Sequence, residues 1–221
     1  MRTATVVATA VSSGVGYLAG SVPVAVLVAR AHRFDPRAVG DRNPGWWNMK
    51  DQLGTRGAAP VLVGDTAKGV VAATVGLALA PDGAWGVGYA AVGAAMVGHA
   101  WPVFAGFRGG RSILTFAGGM CVLAPVATLP AVGLFGALAA TGHTAVGARL
   151  AMGAFPVLQV VLDSPHRTAA SGALMSLIGL RFLLAAREGS ARGGVGAAPP
   201  GPARAQRAGG QAHGHGDVGQ R

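Results

Sequence analysis

Long uncharged apolar runs alternate along this chain with two short hydrophilic segments punctuated by glycine and proline. Residues 3–29 carry no charge and are bracketed by Arg2 and Arg30. A secretory leader has an apolar region of only about 7–15 residues. This run is longer and further apolar segments follow it, so it predicts a transmembrane helix. Gly16 and Gly20 form a GxxxG pair within it, which permits close helix packing inside a membrane bundle. A second span is expected over residues 57–80, with Asp65 and Lys68 placed on one helix face by their spacing of three. Such a pair within a span marks either a functional site or an ion pair near one end. Pro81-Asp82-Gly83 is a turn signal, and a third span is expected over residues 84–97. Residues 112–148 hold no Asp, Glu, Lys or Arg. That run is too long for one helix and is interrupted by Pro125, Pro130 and Gly142, so about two helices or a broken pair are expected. Residues 151–162 and 168–186 supply further helix, with Arg181 marking the end on the side of the hydrophilic segments.

The first hydrophilic segment, residues 31–56, sets Arg33, Arg37, Arg42, Lys50 and Arg56 against Asp35, Asp41 and Asp51. Only Arg2 precedes the first apolar run, so the positive-inside rule predicts a cytoplasmic loop and an outside N-terminus. Trp46 and Trp47 suit anchors at the membrane interface. The second segment, residues 98–115, contains the run Arg108-Gly109-Gly110-Arg111.

Composition agrees with this pattern. Of 221 residues, 51% are hydrophobic and 12% charged, with mean hydropathy +0.46; an average soluble domain is about 25% charged. The expected fold is an all-α, polytopic integral membrane helix bundle of about five to seven transmembrane helices, over residues 1–188. Residues 189–221 are rich in Gly, Ala, Pro and Arg without a periodic apolar pattern, and read as a disordered tail. His213 and His215 within it read as low-complexity sequence. The net charge of +10 sits in loops beside apolar segments and in the tail. That placement fits anionic headgroups or phosphorylated substrates and not nucleic acid. The single cysteine, Cys121, excludes an intramolecular disulfide and reads as packing.

Glycine lets a backbone approach a ligand closely and turn its N–H groups inward around an anion. Asn43-Pro44-Gly45 and Arg108-Gly109-Gly110-Arg111 both offer this. Arg108 and Arg111 add planar forks suited to phosphate, and Arg42 and Lys50 add charge from the first loop. Facing the same side, the two loops are expected to form a basic, glycine-lined phosphate pocket at the membrane surface.

These residues resemble the PlsY-type glycerol-3-phosphate acyltransferases. The family's first loop, G-S-G-N-P-G-A-T-N, stands in frame with Gly40-Asp41-Arg42-Asn43-Pro44-Gly45-Trp46-Trp47-Asn48, and its D-x-x-K-G with Asp65 to Gly69. Its second loop, G-H-x-x-P-V-F-x-G-F-K-G-G-K-G-V-A-T, coincides at Gly98-His99, Pro102-Val103-Phe104, Gly106-Phe107, Gly109-Gly110 and Thr115. The first helix, YLAGSVPVAVLVAR, and the stretch TGHTAVGARLA are similar to the family's first and broken fifth helices. The resemblance spans residues 17–188.

It implies acylation of the sn-1 hydroxyl of glycerol 3-phosphate by an acyl phosphate, giving lysophosphatidic acid for phospholipid synthesis. The implied partners are those two substrates and membrane lipids, in a multi-pass cell-membrane protein whose active loops are cytoplasmic; no cofactor or metal is implied. Lys50, Arg108 and Arg111 are the expected phosphate ligands. Asn43, Gly45, Asn48, His99, Gly109 and Gly110 are expected to shape the loops or offer polar contacts; no catalytic side chain is assigned.

Departures from the family pattern concern the chemistry. The phosphate-binding Ser falls at Asp41, whose carboxylate is expected to repel phosphate. The basic residue after the first motif is Lys50 rather than Arg, the second-loop Lys falls at Arg111, and the next Gly becomes Ser112. In the third motif, near R-H-x-x-N, Arg181 matches while Phe182 and Ala185 replace His and Asn. His99 is expected to make a hydrogen bond at a helix start or to lend polarity, and His143 to be structural. Two other readings stay open: a catalytically degenerate relative that keeps a phosphate or headgroup pocket, and a small membrane transporter.

Overall fold

A computed structural model describes residues 2–192. Nearly all of the expected tail, with His213 and His215, lies outside those residues; residues 189–192 continue the last helix.

The described residues fold into eight α-helices: α1 (Arg2–Gly20), α2 (Val24–Ala31), α3 (Trp46–Leu79), α4 (Gly86–Ala100), α5 (Ile113–Leu123), α6 (Pro125–Ala140), α7 (Thr144–Leu162) and α8 (Pro165–Arg192). Among the described residues, five helical segments are long and apolar enough to cross a membrane: Arg2–Ala31, Trp46–Leu79, Gly86–Ala105, Thr144–Leu162 and Pro165–Glu188; α5 and α6 are shorter apolar helices. The all-α membrane bundle is as expected.

The element boundaries correct the sequence expectation in three places. The first apolar run is two helices, because Pro23 has no N–H to continue the ladder and disfavours helix at the preceding residue; the chain turns through Ser21 and Val22 before α2 begins. The helix of the expected second span, α3, starts at Trp46, well before residue 57, so Lys50, Asp51 and Arg56 are helical rather than loop residues. Gly54, at φ 73°, is the joint between this leading segment and the span. The segment forms because Asn48, Met49 and Gln52 share one helix face and bury it against the first loop and α2. Third, α4 extends to Ala100, so Gly98 and His99 close a helix. The uncharged run breaks at Ala124, before Pro125, and again at Gly142 (φ 85°), while Pro130 stays inside α6.

Close backbone approach holds the bundle together. Lipid tails are as apolar as Leu, so helix association rests on van der Waals packing of small residues. A Cβ on Gly16 would overlap the Ala91 carbonyl and one on Gly20 the Ala95 carbonyl, which is the packing role predicted for this GxxxG pair. The core between α3, α4 and α5 is built from Ala72, Ala73, Ala91, Val92, Ala95, Met96 and Met120, all fully buried, and Phe116 meets Phe155 edge to face at 5.4 Å. Apolar side chains such as Val63, Val157, Val161 and Leu183 are exposed on the outside, where a bilayer would cover them.

Candidate functional site

Both hydrophilic loops lie at one end of the bundle and touch. The first loop is held by its own polar groups. Asp35 accepts hydrogen bonds from the Arg37 backbone N–H (2.9 Å) and from Nε and Nη2 of the same residue. These bonds from Arg37 hold the Asp35 carboxyl below the usual carboxylate range. Arg37 Nη1 then donates to the Ala105 carbonyl at 3.2 Å, tying the first loop to the second. From α3, the buried Asn48 Nδ2 donates to the carbonyls of Pro36 (2.7 Å), Val39 (3.1 Å) and Asn43 (3.1 Å). An amide group has two hydrogens, so one of these bonds is shared. Asn48 is therefore the staple of the loop and offers no polar contact to a ligand. Asn43 places its N–H on Asp41 Oδ1 at 3.0 Å, and the Gly45 N–H donates to the Asn43 carbonyl at 2.8 Å.

The second loop folds back on the end of α4. Gly109 N–H donates to the Ala100 carbonyl and Gly110 N–H to the His99 carbonyl, both at 3.1 Å. The paired glycines thus do not turn free amides toward an anion, a correction to the sequence expectation. They are needed for proximity: a Cβ on Gly109 would overlap the His99 carbonyl, and one on Gly110 would overlap His99 Nε2. Their carbonyls are taken by α8, where Arg181 Nε donates to Gly110 (3.2 Å) and Nη2 to Gly109 (3.1 Å), while the guanidinium stacks 5.0 Å from the Trp101 ring.

Between the loops and α8 lies an open cleft of about 380 Å³, within the usual range for ligand pockets of about 300–1,000 Å³. Its lining includes Arg37, Arg42, Arg108, Arg111 and Arg181, opposed by Asp41 and Glu188. Arg108 and Arg111, both expected in the site, are therefore together in it, with Asn43 and Gly109. Lys50 is not among the lining residues. Because α3 already begins at Trp46, Lys50 lies one turn further on, and its Nζ sits 5.2 and 5.4 Å from the Trp46 and Trp47 rings as a cation–π cap. Asp41 also behaves differently from the expectation of simple repulsion: its Oδ2 accepts from Arg111 Nη1 at 3.0 Å. Phe182, at the expected His position, packs 4.6 Å from the Arg111 guanidinium.

Beneath the cleft, the predicted Asp65–Lys68 pair forms at 2.7 Å and is almost fully buried. Lys68 Nζ also lies 3.3 Å from His99 Nδ1, which is 3.6 Å from Asp65 Oδ1. Nδ1 faces the ion pair, and Nε2 faces Gly110. His99 is thus a buried link between this pair and the second loop, at the last turn of α4 rather than at a helix start. A cavity of about 10 Å³, lined by Asp65, Lys68, His99, Arg108, Gly109 and Gly110 among others, joins the group to the loop. His143 caps α7 and meets Thr141 Oγ1 at 3.1 Å.

Sequence reasoning missed Arg37 and Trp101 as parts of this arrangement. Arg37 looked like one more loop charge, and nothing in the order of residues placed Arg181 against the glycine carbonyls.

The fold and these motifs agree with known proteins. Two crystal structures of PlsY, an integral membrane glycerol 3-phosphate acyltransferase, superpose on this chain: the glycerol 3-phosphate form with TM-score 0.70 and 24% identity, and the lysophosphatidic acid form with 0.68 and 23%, each covering 83% of this chain and 90% of the other. Glycerol-3-phosphate acyltransferase of Rubrobacter xylanophilus is 44% identical over 50% of this chain and 54% of its own length. That of Neisseria meningitidis is 42% identical over 52% and 59%. The protein of the same name from Geobacter sulfurreducens is 35% identical over 68% of this chain and 77% of its own. The family model for glycerol-3-phosphate acyltransferase matches residues 10–189, which takes in both loops, the buried Asp65–Lys68 pair and Arg181. The chain belongs to the glycerol-3-phosphate acyltransferase family.

Proposed function

We propose that this protein transfers an acyl group from an acyl phosphate to the sn-1 hydroxyl of glycerol 3-phosphate, at the cytoplasmic face of the cell membrane. The observation that carries the proposal is the convergence of five arginines, drawn from two loops and α8, on one cleft at the end of an apolar bundle. Both substrates are phosphate esters or anhydrides, and a phosphate monoester carries a charge of about −1.5 to −2 at neutral pH. Guanidinium groups bind such oxygens through parallel hydrogen bonds. The bundle beside the cleft is where an acyl chain and a lipid product belong.

The chemistry needs no nucleophile on the protein. The sn-1 oxygen attacks the acyl carbonyl carbon, the bond from that carbon to the phosphate oxygen breaks, and the hydroxyl proton passes to the departing inorganic phosphate. Lysophosphatidic acid and phosphate result. Arginines around the reacting groups offset the charge that develops on the carbonyl oxygen and the leaving phosphate. Arg108 and Arg111 are the proposed phosphate ligands, with Asn43 and Gly109 in the walls, Gly45 starting α3 behind the first loop, and Gly110 and His99 supporting the second loop from beneath. Lys50 is left to the membrane interface.

Protein reconstituted in vesicles with acyl phosphate and glycerol 3-phosphate should form lysophosphatidic acid and release inorganic phosphate in equal amounts. Intact protein that forms no product above background while still binding phosphate would favour the degenerate reading, whose motivation is Asp41, Phe182 and Ala185. Movement of glycerol 3-phosphate into sealed vesicles without acylation would favour a transporter.

A further inference from the structure

Of the five arginines that line the cleft, three already have acceptors within the protein. Arg37 is bound to Asp35 and to the Ala105 carbonyl, and Arg181 to the carbonyls of Gly109 and Gly110. Arg111 is bound to Asp41. Among the described residues Arg42 and Arg108 make no side-chain hydrogen bond and no ion pair, although the Arg108 charge acts at longer range on Asp35. The Asp41–Arg111 contact differs from the other two. Its acceptor is a carboxylate that itself lines the cleft, on the first loop, facing an arginine of the second. It is also partly solvated, with side-chain exposures of 42% and 22%, so an incoming anion can reach it. Asp41 is fixed in place by the Asn43 N–H on its other oxygen, and Arg111 by the Phe182 ring.

The Asp41 carboxylate takes one N–H donor of Arg111, on Nη1, and its charge offsets that of the guanidinium toward an incoming phosphate. We propose that Asp41 sets the anion affinity of this cleft by acting as a tethered competitor for Arg111. Resting on the acyltransferase reading, this makes Arg42 and Arg108 the groups that receive a substrate phosphate first. Arg111 engages fully only when the phosphate displaces the Asp41 carboxylate from Nη1. Phe182 keeps the guanidinium aimed into the cleft while its partner changes, because the ring face attracts a cation in either state. Asp41 thus weakens phosphate binding without removing the arginine that serves it, and the two departures from the family pattern at Asp41 and Phe182 act on a single side chain.

The first test is the KM for glycerol 3-phosphate in reconstituted protein. An exposed ion pair contributes little on its own, so D41N should lower this KM, and the inhibition constant of inorganic phosphate, by roughly two- to fivefold. R111Q should raise KM by a larger factor in the D41N background than in the parent, because only there is the Arg111 charge not offset by a carboxylate before substrate arrives. An unchanged or raised KM in D41N, or equal factors for R111Q in both backgrounds, overturns the proposal. A loop tie of purely structural importance would give one of those results.

The second test needs no variant and no turnover. Phenylglyoxal modification of the intact protein, mapped by mass spectrometry with increasing inorganic phosphate, should show Arg42 and Arg108 protected at lower phosphate than Arg111. Arg111 protected first, or all three together, sinks the proposal. Lack of lysophosphatidic acid formation by the parent protein would count against the acyltransferase reading alone, since the protection order is read independently of activity.

Discussion

The buried Asp65–Lys68 pair allows a prediction whose size follows from its surroundings. Both side chains are nearly inaccessible, at 2% and 6%, with 2.7 Å between Oδ1 and Nζ. Removing one member leaves the other charge buried without a counter-charge, which costs about 3–5 kcal/mol, whereas replacing both with groups of similar volume is often neutral. Lys68→Met strands the Asp65 carboxylate beside the His99 ring, 3.6 Å away. Asp65→Asn strands the ammonium with only the His99 Nδ1 at 3.3 Å. Each single change should therefore lower stability by about 3–5 kcal/mol. For 150–250 residues 1 kcal/mol corresponds to about 2–4 °C, so Tm should fall by roughly 6–20 °C. The double variant should recover most of this loss, giving a coupling of about 3 kcal/mol or more. The assay is thermal unfolding of the four detergent-solubilised proteins, paired with initial rates of acyl transfer on each. If the single changes cost less than about 1 kcal/mol, or their losses simply add in the double variant, the pair is not the isolated buried unit described here. A double variant with restored Tm and no turnover would show that the charges, and not only the packing, support the second loop through His99.

Three further outcomes follow. Arg108→Gln should raise the KM for glycerol 3-phosphate by about 10- to 100-fold, because a charge-assisted hydrogen bond contributes about 1.5–3 kcal/mol, while Lys50→Gln should change it less than about twofold; the reverse ranking would relocate the phosphate site. Gly110→Ala places a methyl group against His99 Nε2 and 3.2 Å from the Pro44 carbonyl, so overpacking of about 1–3 kcal/mol should appear as lower Tm and slower turnover together; unchanged Tm and rate would contradict the tight contact. Asp35 has its carboxyl pKa lowered mainly by hydrogen bonds from Arg37, so its stabilisation is present above the ordinary carboxylate pKa near 3.9 and is lost as pH falls through the lowered value. The Tm gap between the parent and D35N should be full at pH 5 and close at lower pH, and a gap that widens on acidification would refute the assignment.

The order of residues alone determined the class of protein and the chemistry available to it. Uncharged runs of bilayer length allow only helices or closed barrels, since backbone groups in lipid must pair internally, and the glycine and proline punctuation separated those runs. Asp65 and Lys68 were legible as partners because helical geometry sets which neighbours meet, and Gly16 and Gly20 as a packing face because side-chain size is local information. The limits of α3 were not legible. Whether 46–53 is loop or helix depends on Asn48, Met49 and Gln52 finding a surface to bury against, and that surface is the first loop for Asn48 and Gln52 and α2 for Met49. Occupancy of the charges was likewise decided only in three dimensions. Sequence counts arginines equally, but Arg111 meets Asp41 seventy positions away and Arg181 meets the glycine carbonyls from the last helix. Lys50 is turned to Trp46 and Trp47 by the helix it starts in. Coulomb attraction and hydrogen bonding act across space within a few ångströms, so a charge's partner is set by the packing that brings it near, not by its position in the chain.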